Sequence, residues 1–449
     1  VEDTLDAMYA GGIYDHLGGG FSRYSTDRMW LVPHFEKMLY DNALLAIAYT
    51  EAYQIMKKPL YETVVRETLQ YVLAELTGSN GGFYCAQDAD CEGEEGKYYV
   101  FTKEEIYRVL GDEDGERFCE YYQVTSEGNF EEANILNRIG KPVTEHDHEM
   151  TKLRDKMREY RQSRYQLHTD DKILTSWNGL MITAFTKAYQ VFHDGYYLNA
   201  ARKCYEFINE NLRDQNQRLM IRYREGHQFG AGNLEDYAFF IMAEITLYEA
   251  TFEPRYLKGA IQDAKEMIRL FADDENGGFY FYGEDVPQLI MRPKEVYDGA
   301  IPSGNSVAYL VLDKLSRLTR DDSFWDMAQK QANFMEQEIV SNPVAYCFAL
   351  CAMMGRLADG REIVCILKDG IQRQELDTLL SDYFLADASV IVVDEEKAEQ
   401  LIEILPYIGD YKRDGEDCAI HVCENLNCLP TMTNMEAFKK YLEEYRKMK

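Results

Sequence analysis

Between Tyr14 and Leu45 the chain reads YDHLGGGFSRYSTDRMWLVPHFEKMLYDNALL. Two histidines, several acids, three adjacent glycines and basic residues crowd the approach to an apolar helix. His16 and His34 could move a proton beside a carbonyl, because an imidazole with a pKa near 6.5 works in both directions. His227 could do the same before a later helix. Carboxylates offer a second chemistry. Asp88 and Asp90 in QDAD follow a Gly-Gly-Phe turn, Glu235 and Asp236 open a helix, and Asp298 precedes another. Glycoside hydrolysis uses two such carboxyls, one of them kept protonated. Each of these groups also has a plain structural use: acids cap helices and fasten loops, and a loop histidine can simply pack.

Around this set stand groups that could hold a ligand. Arg23, Lys37 and Arg292 could bind an anionic or hydroxylated molecule, or pair with nearby acids. Trp30, Trp177, Tyr14 and Tyr24 could stack on a sugar face, although most aromatics in a helical array are core. Asn42, Asn178 and Asn305 recur at one repeat position, as ligand contacts or as caps. Asp15 and Asp41 complete the candidate ligand-binding set. His146 and His148 fall in a polar linker and read as solvated.

These residues need elements to position them. Four segments share one grammar, an apolar helix, a tight turn and a second helix opening on an aromatic or leucine. Asn42 leads to Leu60, Asn178 to Tyr197, Asp236 to Tyr256 and Asn305 to Phe324, at offsets of 18, 19, 20 and 19 residues. A degenerate copy is expected near Thr102–Tyr122. The first helix of each pair is apolar nearly all round, as in AFFIMAEITLY, and so is buried on both sides. The second is amphipathic, as in YLKGAIQDAKEMIRLF, and so faces solvent. Arrays of helix pairs bury each face on a neighbour. Inner and outer helices alternating over about six hairpins give an all-α toroid, with an open superhelix as the alternative. Long loops carrying Gly19-Gly20-Phe21, Gly81-Gly82-Phe83 and Gly277-Gly278-Phe279 then meet at the inner-helix N-termini. Loops of this kind on a rigid scaffold usually carry function. His34, Asp88, Asp236 and Asn305 are expected to line one cavity there. Strand is expected in the hairpins after Gly-Gly-Phe and in the tail, where EIVCIL and SVIVVD flank the helix QELDTLLSDYF. The expected domains are residues 1–360 and a small α/β module at 361–449.

Composition narrows the classes. A net charge of −30 disfavours nucleic-acid binding, which needs basic stripes. No apolar run reaches the length of a membrane span, and no secretory signal opens the chain. Val1 lies inside a helical pattern, which reads as a fragment or processed chain. The ten cysteines form no dense framework. Cys204, Cys347 and Cys351 sit in apolar runs and read as small hydrophobes, and a reducing cytoplasm fits them. Cys423 and Cys428 alone make a poor zinc site, which wants four ligands. Neither a phosphate loop nor a dinucleotide fingerprint occurs, so no metal and no cofactor is expected.

The strings GGIYDHLGGGFSRYSTDRMWLVPHFEKMLYDNALL, GGFYCAQDADCEGEEGKYYVFT, DDKILTSWNGLMITAF and RPKEVYDGAIPSGNSVA carry a resemblance. They are similar to the thioredoxin-domain-containing family of spermatogenesis-associated protein 20 and its bacterial relatives. The resemblance implies an (α/α)6 domain like the six-hairpin glycosidases and N-acylglucosamine 2-epimerases. In that family the domain follows a thioredoxin-like one, which is missing here together with the first inner helix. Val344–Leu357 could help fill that place. The pair Cys423 and Cys428 also resembles a family feature. A sugar epimerase, isomerase or glycosidase at the mouth of the toroid is the resulting expectation, with a carbohydrate-like ligand. A non-catalytic scaffold serving a thioredoxin-like partner is the alternative. Fold implies less about activity than about architecture.

Overall fold

The computed structural model describes residues 1–142, 148–287, 290–357, 360–368, 370–385, 388–412, 418–424 and 427–448. His146 lies outside them. Contacts divide the chain into two compact units, Val1–Leu174 and Thr175–Lys449.

In the first unit, α1 (Glu2–Ala10) precedes the loaded loop. The hairpin α2 (Leu39–Met56) and α3 (Pro59–Glu75) follows it. Next come the short pair α4 (Lys103–Leu110) and α5 (Asp112–Tyr122), then α6 (His148–Arg164). The pair α4–α5 stands where the degenerate repeat is expected. Thr102 and Glu105 form a capping box at its start, which satisfies two otherwise orphaned N–H groups. The short strands Lys37–Met38, Ala86–Gln87 and Thr169–Asp170 form one antiparallel sheet.

The second unit holds three regular hairpins: α7 (Thr175–Phe192) with α8 (Gly195–Asn211), α9 (Leu234–Thr251) with α10 (Pro254–Phe271), and α11 (Gly304–Thr319) with α12 (Asp322–Ser341). Inner helices pack in succession, α7 on α9 and α9 on α11. α13 (Cys347–Leu357) adds to α11. Helix α9 is buried nearly all round, whereas α10 buries one face. All four long inner helices end the same way. Lys57, His193, Phe252 and Arg320 each take a left-handed conformation, which reverses the chain within two residues. At Gly179, α7 and α9 meet backbone to backbone, and a Cβ there would lie 2.8 Å from the carbonyl of Phe239.

The tail is a small α/β module. Strand Arg361–Ile366 pairs in parallel with Ala388–Val393 and antiparallel with Ala419–Glu424. α14 (Gly370–Ser381) connects the parallel pair, and α15 (Ala398–Ile404) and α16 (Met435–Met448) follow. Cys423 and Cys428 form a disulfide across the last hairpin. The class is therefore the expected one: helical hairpins of the (α/α)6 kind with an α/β C-terminal module.

Two expectations need correction. A β-hairpin, Met220–Arg224 with His227–Ala231, stands between α8 and α9 with no Gly-Gly-Phe before it. Its turn residues Glu225 and Gly226 both have positive φ, the geometry of a tight two-residue hairpin. Cys347 and Cys351 are exposed. An apolar run sets which face of a helix is apolar, and a neighbour must still cover it.

Candidate functional site

One loop design occurs twice, once in each unit. Asp15 accepts the N–H groups of Leu17 and Gly18 on Oδ1, and its carbonyl accepts Gly19 N–H. Lys37 Nζ bonds Asp15 Oδ2 at 2.7 Å and the Gly19 carbonyl at 2.8 Å. Phe21 is then clamped by Asn42, which accepts its N–H at 2.8 Å and donates to its carbonyl at 3.1 Å. In the second unit Asp273 accepts Glu275 and Asn276 N–H groups, and its carbonyl accepts Gly277 N–H. Lys294 Nζ bonds Asp273 Oδ2 and the Gly277 carbonyl, and Asn305 clamps Phe279 at 2.8 and 3.0 Å. Gly19, Gly20, Gly277 and Gly278 all have φ between +70° and +78°, which only glycine adopts without strain. The repeated glycines, lysines and asparagines thus build the long loops. Asn178, at the same repeat position, is fully buried and accepts a bond from Cys204 Sγ.

In Val1–Leu174, His34 is brought to acids. Its Nδ1 lies 2.5 Å from Glu95 and its Nε2 3.6 Å from Glu36, while Tyr24 packs against its ring. Arg23 pairs with the same Glu36 at 2.9 Å. Asp41, in the first turn of α2, has one carboxylate oxygen buried with no hydrogen bond. Burial pushes its pKa up to about 8, Arg23 opposing and Glu36 assisting. Asp88 pairs with His168 at 3.2 Å. Asp90 is exposed, and its backbone lies opposite Glu95.

Asp15 belongs to a buried knot. Arg161 grips it with two bonds, at 2.8 and 2.9 Å. The side chains of Lys37, Arg161 and Asp15 are 1%, 5% and 6% exposed. Burial opposes ionisation of Asp15, but Arg161 and Lys37 outweigh it and hold the carboxyl well below its usual range. His16 is also interior. It is 1% exposed, ringed by Tyr9, Tyr14 and Tyr122, and bonded through Nε2 to the Gly11 carbonyl. Burial first, then Arg154, lowers its pKa to about 3, so it is a neutral core side chain. Tyr14 is likewise core, with its hydroxyl on Glu67, and offers no face to a ligand. Trp30 is half-buried, and its carbonyl accepts Ile13 N–H.

In Thr175–Lys449, Glu235 and Asp236 occupy the first turn of α9. Asp236 accepts Ser176 N–H at 3.0 Å and Asn233 N–H at 2.8 Å. Burial raises its pKa to about 6 against those bonds. Glu235 is half-buried and rises to about 7, through burial and then through Asp236 and Glu295. Asp41 and Glu235 each stand one residue before the repeated Asn or Asp position. Asp298 spends both oxygens on backbone N–H groups of Ser303, Phe348 and Ala349. Arg292 bonds the carbonyls of Leu270 and Tyr282 and covers the Tyr280 ring. Trp177 is half-buried on α7, and His227 is exposed on the hairpin.

Glu36, Glu95, His168, Arg161 and Glu295 escaped the sequence reading. The α6 string TKLRDKMREYRQSR does contain a signal, since Arg154 and Arg161 are one heptad apart and share a face. Among the described residues no group of three His, Cys, Asp or Glu side chains is placed to hold a metal, and no helix is long and apolar enough to cross a membrane.

This architecture of helical hairpins with a terminal α/β module defines the class. The chain is similar to human spermatogenesis-associated protein 20, at 30% identity over 98% of this chain and 62% of that protein. It is also similar to an uncharacterized protein of Caenorhabditis elegans, at 29% identity over 95% of this chain and 64% of that one. The chain thus spans a little under two thirds of the length of these relatives. No family model matches it. Among solved structures it is similar to a sugar epimerase from a ruminal bacterium, with a TM-score of 0.49 and 11% identity over 74% of this chain and 68% of that one. It is similar as well to cellobiose 2-epimerase from Bacillus thermoamylovorans, with a TM-score of 0.34 and 14% identity over 74% and 83%.

Proposed function

We propose that the chain is a sugar-active domain that works by carboxyl acid–base chemistry at the starts of its inner helices. The family resemblance read from the sequence supplies the substrate class. One observation carries the chemistry: Glu235, half-buried at the start of α9 beside Asp236, has a pKa of about 7. A carboxyl poised there is protonated for part of the population at neutral pH. It can donate to a leaving or carbonyl oxygen and take a proton back, which is the requirement for general acid–base work. Asp236 is held by two backbone N–H groups and keeps the neighbouring charge fixed.

A panel of mono- and disaccharides screened by thermal shift, with turnover of each hit followed by NMR, tests this. The expectation is a hit whose turnover falls about a hundredfold or more in Glu235→Gln while binding persists. Turnover unchanged in that variant would remove Glu235 from the chemistry. A hit with no turnover in the wild-type chain would instead favour a binding scaffold.

A further inference from the structure

The first unit contains a cavity of about 270 Å³ that the helix-start carboxyls do not line. Its walls include Lys37 and Gln87, which are register partners in the small sheet, Tyr71 and Glu75 on α3, and Tyr98 and Arg161. At about 30 Å³ per water this is space for roughly nine waters, hence for one ligand of about a dozen heavy atoms. The pocket is more polar than a usual small-molecule site.

The charges in its walls close among themselves. Lys37 and Arg161 are balanced by Asp15 and Glu75, and Arg158 pairs with Asp155. A charged ligand would add a buried charge without a counter-ion, which is costly. Hydrogen-bonding capacity, however, is left over. Arg161 Nε is buried with no partner. Gln87 accepts Tyr71 hydroxyl at 3.3 Å, and its amide N–H groups have no partner among the described residues. The Glu75 carboxylate accepts no hydrogen bond among the described residues. Spare donors therefore face a spare acceptor across a small space. A hydroxyl both donates and accepts, so a ring of hydroxyls satisfies both walls.

The duplicated loop sharpens this reading. In the second copy the Tyr280 hydroxyl bonds Asp273 at 2.9 Å, where the first copy has Arg161. The loop is thus held without a buried arginine, and Arg161 is an addition of the first unit. Gly18 belongs to the same design, since a Cβ there would lie 2.4 Å from Arg161 Nη2.

We infer that the cavity bounded by Lys37, Gln87, Glu75 and Arg161 is a second binding site, one that takes a neutral polyhydroxylated molecule of monosaccharide or cyclitol size. Isothermal titration of the full chain with D-glucose, D-mannose and myo-inositol, alongside D-glucuronate and D-glucosamine, tests it. At least one neutral probe should bind saturably, and more tightly than either charged one. Glu75→Gln should weaken that binding about ten- to a hundredfold, because a hydrogen bond to a charged acceptor is lost. Ala74→Phe, at an exposed helix position on the rim, should abolish it without lowering the Tm. Saturable binding that both variants leave unchanged would overturn the inference while leaving the acid–base reading intact, since neither variant touches Glu235. Preference for a charged probe, or no saturable binding of any neutral one, would overturn it too.

Discussion

Replacing Glu235 with glutamine should remove a defined part of the pH dependence of folding. Glutamine keeps the shape of a protonated glutamic acid but cannot ionise. The folded pKa of Glu235 is about 7, against 4.5 for the unconstrained group, and burial is the largest cause. The sign follows from linkage. A raised folded pKa means that the folded state holds its proton while the unfolded state has released it. The stability tied to that proton is complete below pH 4.5 and is lost as pH rises through about 7. At about 1.4 kcal/mol per pH unit the loss is about 3 kcal/mol. Urea unfolding at about pH 4.5 and about pH 8, for wild type and Glu235→Gln, measures it. Asp41, Asp236 and Glu244 are also raised, so the informative quantity is the change in the variant minus the change in wild type. The variant should lose about 3 kcal/mol less between the two pH values. Equal losses would mean that Glu235 is solvated and titrates normally, and the acid–base proposal would lose its support.

His16 gives the opposite sign. Its folded pKa of about 3 means that stability is complete above about 6.5 and is lost as pH falls toward 3, by up to about 5 kcal/mol; acid unfolding should be visibly shallower in His16→Gln. Asn305→Ala should cost about 2–4 kcal/mol in chemical denaturation, because the N–H and carbonyl of Phe279 lose their partners in a buried place, and Asn42→Ala should cost a similar amount through Phe21. Gly179→Ala should lower stability by about 1–3 kcal/mol although alanine is the better helix former, since its Cβ meets the backbone of Phe239; a more stable variant would show that the two helices can move apart.

The hairpins were legible because their signal is local. Spacings of 18 to 20 residues from the repeated polar position to the next helix, with apolar periodicity between, appear as α2–α3, α7–α8, α9–α10 and α11–α12. The site was less legible because its partners are distant in sequence. Arg161 lies 146 residues from Asp15, and Glu95 lies 61 from His34. No window of sequence joins them. His16 shows a different limit. Its neighbours Asp15 and Gly18 suggest an open polar loop, yet Tyr9 and Tyr122 close over the ring from α1 and α5. The exposed Cys347 and Cys351 mark the converse, an apolar pattern whose face stays uncovered.

The duplicated loop provides a way to separate scaffold from chemistry that conservation would normally supply. A residue required to fold the loop should appear in both copies in the same role. Lys37 and Lys294 do so, as do Asp15 and Asp273, and Asn42 and Asn305. Their burial and charge are explained by the loop alone, so they carry no argument for catalysis. What one copy holds and the other lacks must have a different reason. In the first unit that remainder is Arg161 with the cavity it borders, together with Asp41, since glycine stands at the corresponding position of α11. In the second it is the Glu235–Asp236 pair at the start of α9, where the repeated asparagine is replaced by an acid. Burying an ionisable group costs stability unless it is used or paired. Glu235 is half-buried, has no basic group among the causes of its raised pKa, and is not needed by the loop design, which makes it the residue whose position a structural role explains least.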